Sequence, residues 1–249
     1  MNKRGFTLAE VLITLGIIGI IAAMTLPTVV NKYKEKETVT KLKKFYSILS
    51  QSYLTSVQKY GTPDEWGIRG RDAGSSDENE DSYTAQNAIL IRDRLFESVK
   101  KLRDCNNAKN QKSCGMSDKY YRIDGVINTE IGGSTAKTSS AFMFDGSSVM
   151  IIANPTGEYR GPGVLSKTYA IIYIDLNGVK SPNTYGKDLF MFYLTKQNIM
   201  PAGTENETVW SFSTCYSHGG ACTAWVIYNE NMDYLKCKKL SWNGKKKCK

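Results

Sequence analysis

From Phe6 to Leu26 the chain reads FTLAEVLITLGIIGIIAAMTL, 21 residues with one ionisable side chain, Glu10. As a helix rising about 1.5 Å per residue the run would be roughly 31 Å long, which matches a bilayer hydrocarbon core of about 30 Å. The segment therefore predicts a membrane span. Lys3 and Arg4 would stay on the cytoplasmic side, and everything after residue 30 would lie on the other. A cleaved secretory signal does not fit, because its apolar region is about 7 to 15 residues long and ends at a small-residue cleavage site. A plain anchor fits the length but leaves Glu10 in lipid, where a charge costs about 2.5 to 3.5 kcal/mol even on the lenient insertion scale. Such a carboxylate needs a partner.

The stretch Lys3-Arg4-Gly5-Phe6-Thr7-Leu8-Ala9-Glu10 resembles the processing signature of type IV pilins and type II secretion pseudopilins. Charged leader, Gly-Phe junction, Glu and apolar length coincide over about the first thirty residues. The resemblance implies that a prepilin peptidase cuts after Gly5 and methylates the new amino-terminal Phe6, which leaves Glu10 as the fifth mature residue. It places Pro27 where many members carry a helix-loosening proline. It also implies the partners: other subunits through the amino-terminal helix, the peptidase, inner-membrane assembly machinery and the bilayer, with a pilus or pseudopilus filament as destination. The spacing agrees with that scheme. Cleavage would create an amine on Phe6 one helical turn from Glu10, and in a bundle the amine of one subunit can neutralise Glu10 of the next. Loss of Lys3 and Arg4 would lower the formal charge from +9 to +7.

Beyond the span, Val39, Leu42, Tyr46, Leu49, Tyr53, Val57 and Tyr60 recur every three or four residues, one stripe of an amphipathic helix that Gly61 and Pro63 end. Lys32, Lys34, Lys36, Lys41, Lys43 and Lys44 occupy its other faces and suit a solvated surface near lipid headgroups. Residues 61–82 read as a polar, acidic loop. Ala88, Ile89, Leu95, Phe96, Val99 and Leu102 predict a second helix over Tyr83 to Arg103, capped near Ser82 or Thr84. The remainder reads as strands. Ala141–Phe144 and Val149–Ala153 flank Asp145-Gly146, while Tyr169–Asp175 and Leu189–Leu194 flank a loop opening with Asn177-Gly178; both dipeptides are hairpin signals. A third pair joins Val209–Phe212 to Thr223–Tyr228, and Gly161-Pro162-Gly163 is a turn. The expected class is α+β, a long amino-terminal helix packed on an antiparallel sheet, as pilin-like heads are built. Its divisions are a leader at 1–5, a membrane and assembly helix at 6–30, an amphipathic continuation at 31–60 and an extracytoplasmic head at 61–249.

Cys105, Cys114, Cys215, Cys222, Cys237 and Cys248 all follow the span, where thiols are oxidised, and an even count predicts three disulfides. Short loops favour Cys105 with Cys114 and Cys222 with Cys237, leaving Cys215 with Cys248. Zinc would want a Cys-x-x-Cys pair, which is missing, and a Cys215–His218 catalytic pair lacks an orienting partner. Asp175, Asn177 and Asp188 surround a Gly/Pro/Asn-rich loop with the hard oxygen ligands that Ca²⁺ takes, as some secretion pseudopilins do in a late loop of the head. The loop is not an EF-hand, since Gly186 stands at the twelfth position. The same three residues equally suit a hairpin loop whose Asp and Asn bond their own backbone.

A single histidine, His218, leaves little room for a histidine metal cluster or general base, and no Walker or dinucleotide loop is present. The +9 charge suits anionic partners, but a diffuse Lys excess that serves solubility accounts for it as well. Two functions follow from different classes. One is a structural filament subunit; the other is a minor tip subunit whose head binds DNA, a surface or a secreted substrate. A membrane-anchored enzyme has no catalytic constellation to support it.

Overall fold

The computed structural model describes residues 7–69, 80–106, 112–128, 131, 138–154, 168–208 and 210–248. Gly5, Phe6 and the leader lie outside them, as do Gly161-Pro162-Gly163, Val209 and much of the acidic loop. The chain divides into two compact units, residues 1–37 and 38–249. Helix α1, Leu8–Tyr60, contributes to both. It runs through Pro27 as one helix.

In the second unit α1 presents Val39, Leu42, Phe45, Leu49, Ser52, Tyr53 and Ser56 to the core. The stripe read from the sequence is there, with Tyr46, Val57 and Tyr60 at its half-buried margin. Phe45, Ser52 and Ser56 are the additions. Ser56 lies where α2, Glu80–Leu95, approaches, and its Oγ donates to Arg94 O at 2.7 Å. Gly61 terminates α1 at φ +76°, its N–H bonding Val57 O at 2.9 Å. That positive φ is strained for a residue with a Cβ, so the left-handed cap favours glycine.

The sheet has six antiparallel strands: β1 Lys101–Cys105, β4 Thr138–Met143, β5 Ser148–Ala153, β6 Thr168–Asp175, β7 Leu189–Thr195 and β8 Ile199–Pro201, in that spatial order. A separate ribbon pairs β2 Tyr120–Tyr121 with β3 Ile127–Asn128. Both hairpins read from Asp-Gly and Asn-Gly form, with Ala141 opposite Val149 and Ile172 opposite Phe192. All seven residues of β7 are buried because both sheet faces are covered. Phe190, Phe192 and Leu194 join the cluster that includes α1 and α2, while Leu189, Met191 and Tyr193 join Met150, Tyr120 and Tyr185 on the other side. A strand covered on both faces cannot alternate, and LFMFYLT does not.

Three expectations need correction. The second helix stops at Leu95, and Lys101–Cys105 forms strand β1 at the sheet edge, paired with β4. Phe96, Val99 and Leu102 share a helical spacing, but the edge of β4 offers backbone partners that a longer helix would forgo, and Leu102 is left 54% exposed. The third hairpin is not formed among the described residues. Phe212–Tyr216 is a 3₁₀ turn and Thr223–Asn229 is a helix, α3, since a short buried apolar run has no periodicity to tell strand from helix. Finally, Cys105 pairs with Cys114 as expected, but Cys215 pairs with Cys222 and Cys237 with Cys248. These close shorter loops than the expected 222–237 and 215–248 pairs. The turn before α3 already holds Cys222 beside Cys215.

Candidate functional site

The amino-terminal segment is apolar and uncovered. The 18-residue window that is long and apolar enough to cross a membrane is wholly unburied, with Leu8 81% and Met24 75% exposed. At its start Thr7 and Glu10 form a reciprocal cap. The Glu10 carboxylate accepts from Thr7 N–H and Thr7 Oγ1–H, each at 2.8 Å, and Glu10 N–H donates to Thr7 Oγ1 at 3.3 Å. Thr-x-x-Glu ahead of an apolar run is the capping-box pattern, a signal carried by the sequence itself. Within the single chain, then, the charge is shared with its own first turn, and Glu10 stays exposed.

The loop between β6 and β7 brings Asp175, Asn177 and Asp188 together. Asp175, fully buried, accepts from Tyr120 Oη–H at 2.7 Å and from Asn177 N–H at 3.1 Å. Asp188 accepts from Asn183 N–H at 2.8 Å and Thr184 N–H at 2.7 Å. Asn177 Nδ2 donates to Ser181 O at 3.3 Å. Burial pushes the Asp175 carboxyl up to about 7, against the opposing pull of the Tyr120 hydroxyl. Asp188 is also raised by burial, which its two backbone donors resist. Among the described residues no group of three or more His, Cys, Asp or Glu side chains is placed to hold a metal ion. Two carboxylates already accepting protein hydrogen bonds offer far fewer oxygens than the six to eight a calcium ion takes.

Tyr120 and Glu207 have no signal in the sequence. Glu207, buried, accepts from Tyr193 Oη–H at 2.9 Å and Gly203 N–H at 2.6 Å, and burial raises it to about 7. His218 packs against Tyr185 and Trp210, both rings at 4.6 Å, and its Nδ1 accepts Gly220 N–H at 3.2 Å. Burial and nearby Arg122 lower it to about 4. Cys215, three residues earlier, is bound to Cys222 and supplies no thiolate. The pair is structural.

A long apolar helix packed through its second part on an antiparallel sheet, with the first part uncovered, is a pilin-like α+β fold. Residues 1–26 match the prokaryotic N-terminal methylation motif, which is typical of type IV pilins and pseudopilins. Residues 28–248 match a family of unknown function, DUF6613, and the chain belongs to that family. No curated protein and no solved structure matches it.

Proposed function

We propose that the chain is a filament subunit of the type IV pilus or type II secretion pseudopilus kind. It enters the inner membrane as a precursor with its head outside the cytoplasm, is cut after Gly5, is methylated on Phe6, and polymerises through the amino-terminal helix. The observation that carries this reading is the methylation motif joined to a helix whose apolar, membrane-length window is unburied among the described residues. An isolated helix of that kind is stable only in lipid or against copies of itself.

In this reading Glu10 has two partners in succession. Thr7 holds it in the single subunit, and in the filament the Phe6 amine of a neighbour replaces Thr7. The exchange gives the buried carboxylate a full counter-charge, which a hydroxyl and an amide cannot supply. Pro27 sits at the far end of the span, where a missing backbone donor lets the helix adapt to its neighbours during packing. The loop carrying Asp175, Asn177 and Asp188 is a structural lock for the β6–β7 connection, supported by the bonds to its own backbone.

Intact-mass measurement on membrane fractions tests the proposal. The expected mass is that of a chain beginning at Phe6 plus one methyl group. Retention of Met1 in cells with an active prepilin peptidase, or cleavage near Ala23, would overturn it.

A further inference from the structure

The positive excess of this protein is not diffuse. Residues 236–249 hold seven of its 33 Lys and Arg and none of its 24 Asp and Glu, so without them the formal charge of +9 would be +2. Lys236, Lys238, Lys239, Lys245, Lys246 and Lys247 are all exposed. The Cys237–Cys248 bond closes the segment into a loop.

The loop is anchored at its middle and both ends. Leu240 is buried, and its N–H donates to Tyr216 Oη at 3.0 Å. Trp242 packs on Trp225 at 5.2 Å and donates Nε1–H to Gly203 O at 3.1 Å. Asn231 Nδ2 donates to Lys246 O at 3.2 Å, and Cys248 N–H to Asp233 Oδ2 at 2.8 Å. With the apolar residues turned inward, Lys238–Lys239 on one side and Lys245–Lys246–Lys247 on the other are held outward. The bordering carboxylates are engaged: Asp233 by Lys236 and Cys248, Glu205 by Asn243, Glu230 by Lys43.

We propose that this disulfide-closed lysine loop binds the phosphate backbone of nucleic acid, independently of sequence. Lysine is a point charge for phosphate, and the loop carries no Arg for bidentate reading of a base edge. A duplex offers one negative charge per about 1.7 Å of axis, and each neutralised phosphate releases condensed counterions. Because the loop is braced, little conformational entropy is lost on binding. Clustered lysines also attract anionic headgroups, but Leu240 and Trp242 of this loop are committed to the protein and add no inserted apolar group to hold it on a lipid surface. The proposal concerns the head alone and does not depend on the filament reading.

The test is fluorescence anisotropy of a labelled 30-base-pair duplex of arbitrary sequence against the full chain in zwitterionic nanodiscs, from 50 to 300 mM salt. The comparison variant changes Lys238, Lys239, Lys245, Lys246 and Lys247 to Gln. A control of equal charge changes Lys32, Lys34, Lys36, Lys41 and Lys44 to Gln. The expected result is binding by the parent, at least a 100-fold loss in the loop variant with the logarithmic salt slope shallower by about 4, and under a tenfold loss in the control. Unchanged far-ultraviolet circular dichroism of both variants keeps folding out of the comparison. Equal losses in the two variants, no binding by the parent at 50 mM salt, or loop-dependent binding to anionic vesicles without duplex binding would each overturn it.

Discussion

Residues 8–30 and strand β7 are both apolar, and they differ in what covers them. Ile13, Ile17, Ile18 and Ile20 are each more than half exposed, whereas all seven residues of β7 are buried within their own chain. Hydrophobic sequence alone therefore does not say where the burial comes from. In β7 the fold supplies it at once through Phe190, Phe192 and Leu194 on one face and Met191 and Tyr193 on the other. In the amino-terminal segment none of the described residues supplies it, and in the proposed function it comes from lipid or from another subunit. The first kind of apolar surface stabilises a monomer; the second specifies an environment.

The sharpest way to break this comparison is to make the same kind of truncation in each region. Phe192→Ala should cost the head about 3 to 5 kcal/mol, from lost burial and the cavity left behind. Ile17→Ala should change head stability by less than about 0.5 kcal/mol. Urea unfolding in detergent, followed by tryptophan fluorescence, reads both. Comparable losses would mean that the amino-terminal segment is part of the head's own core.

Buried titratable groups sharpen the description of the head by giving it a pH signature. Asp175 and Glu207 hold their protons to about pH 7 in the native state, whereas in the unfolded chain they release them near their ordinary values of 3.8 and 4.5. Between roughly pH 4.5 and 7 the native state thus binds more protons, and stability falls as pH rises. His218 acts in the opposite sense, since it stays neutral down to about 4 against an ordinary 6.5, which adds stability as pH rises through that window. Two carboxyls outweigh one imidazole, so the head should lose about 1 kcal/mol per pH unit from 5 to 6.5. Asp175→Asn should flatten the slope and His218→Gln steepen it. A slope that Asp175→Asn leaves unchanged would contradict the burial argument.

The smallest expected effect belongs to the β6–β7 loop. With Asp175 and Asp188 bonded to Tyr120 and to backbone N–H groups, EGTA should shift the head's melting temperature by less than about 1 °C. A fall of several degrees that added Ca²⁺ reverses would restore the cation site that the oxygen-rich sequence also suggested.

How legible these features are in the sequence depends on how local their causes are. The amino-terminal helix, the α1 stripe and both Asx-Gly hairpins depend on spacing and turn chemistry within a few residues, and each can be read directly. Strand β1 cannot, because Leu102 follows a helical spacing and is drawn to the edge of β4 from far along the chain. Nor can α3, whose Ala224, Trp225, Val226 and Ile227 are buried on all sides and show no period. The pairing of Cys215 with Cys222 is legible in part, since its separation of seven is what a short-loop preference favours, while the 3₁₀ turns that bring the two together have no local signal. Glu207 looks like any loop glutamate until Tyr193 and Gly203 are brought to it. The Thr7–Glu10 cap, by contrast, is fully local, and its Thr-x-x-Glu spacing is legible directly.

The central claim is that the uncovered helix is an assembly surface keyed by Glu10. Glu10→Ala tests it most directly, with subunit in membranes compared against subunit in sheared filaments. Insertion depends on apolar length, so the membrane pool should be unchanged, because replacing a carboxylate with Ala only eases entry into lipid. Filament yield should fall at least tenfold, since each incoming Phe6 amine would be buried without its counter-charge, at about 3 to 5 kcal/mol per contact. Normal filament yield from the variant would contradict the account.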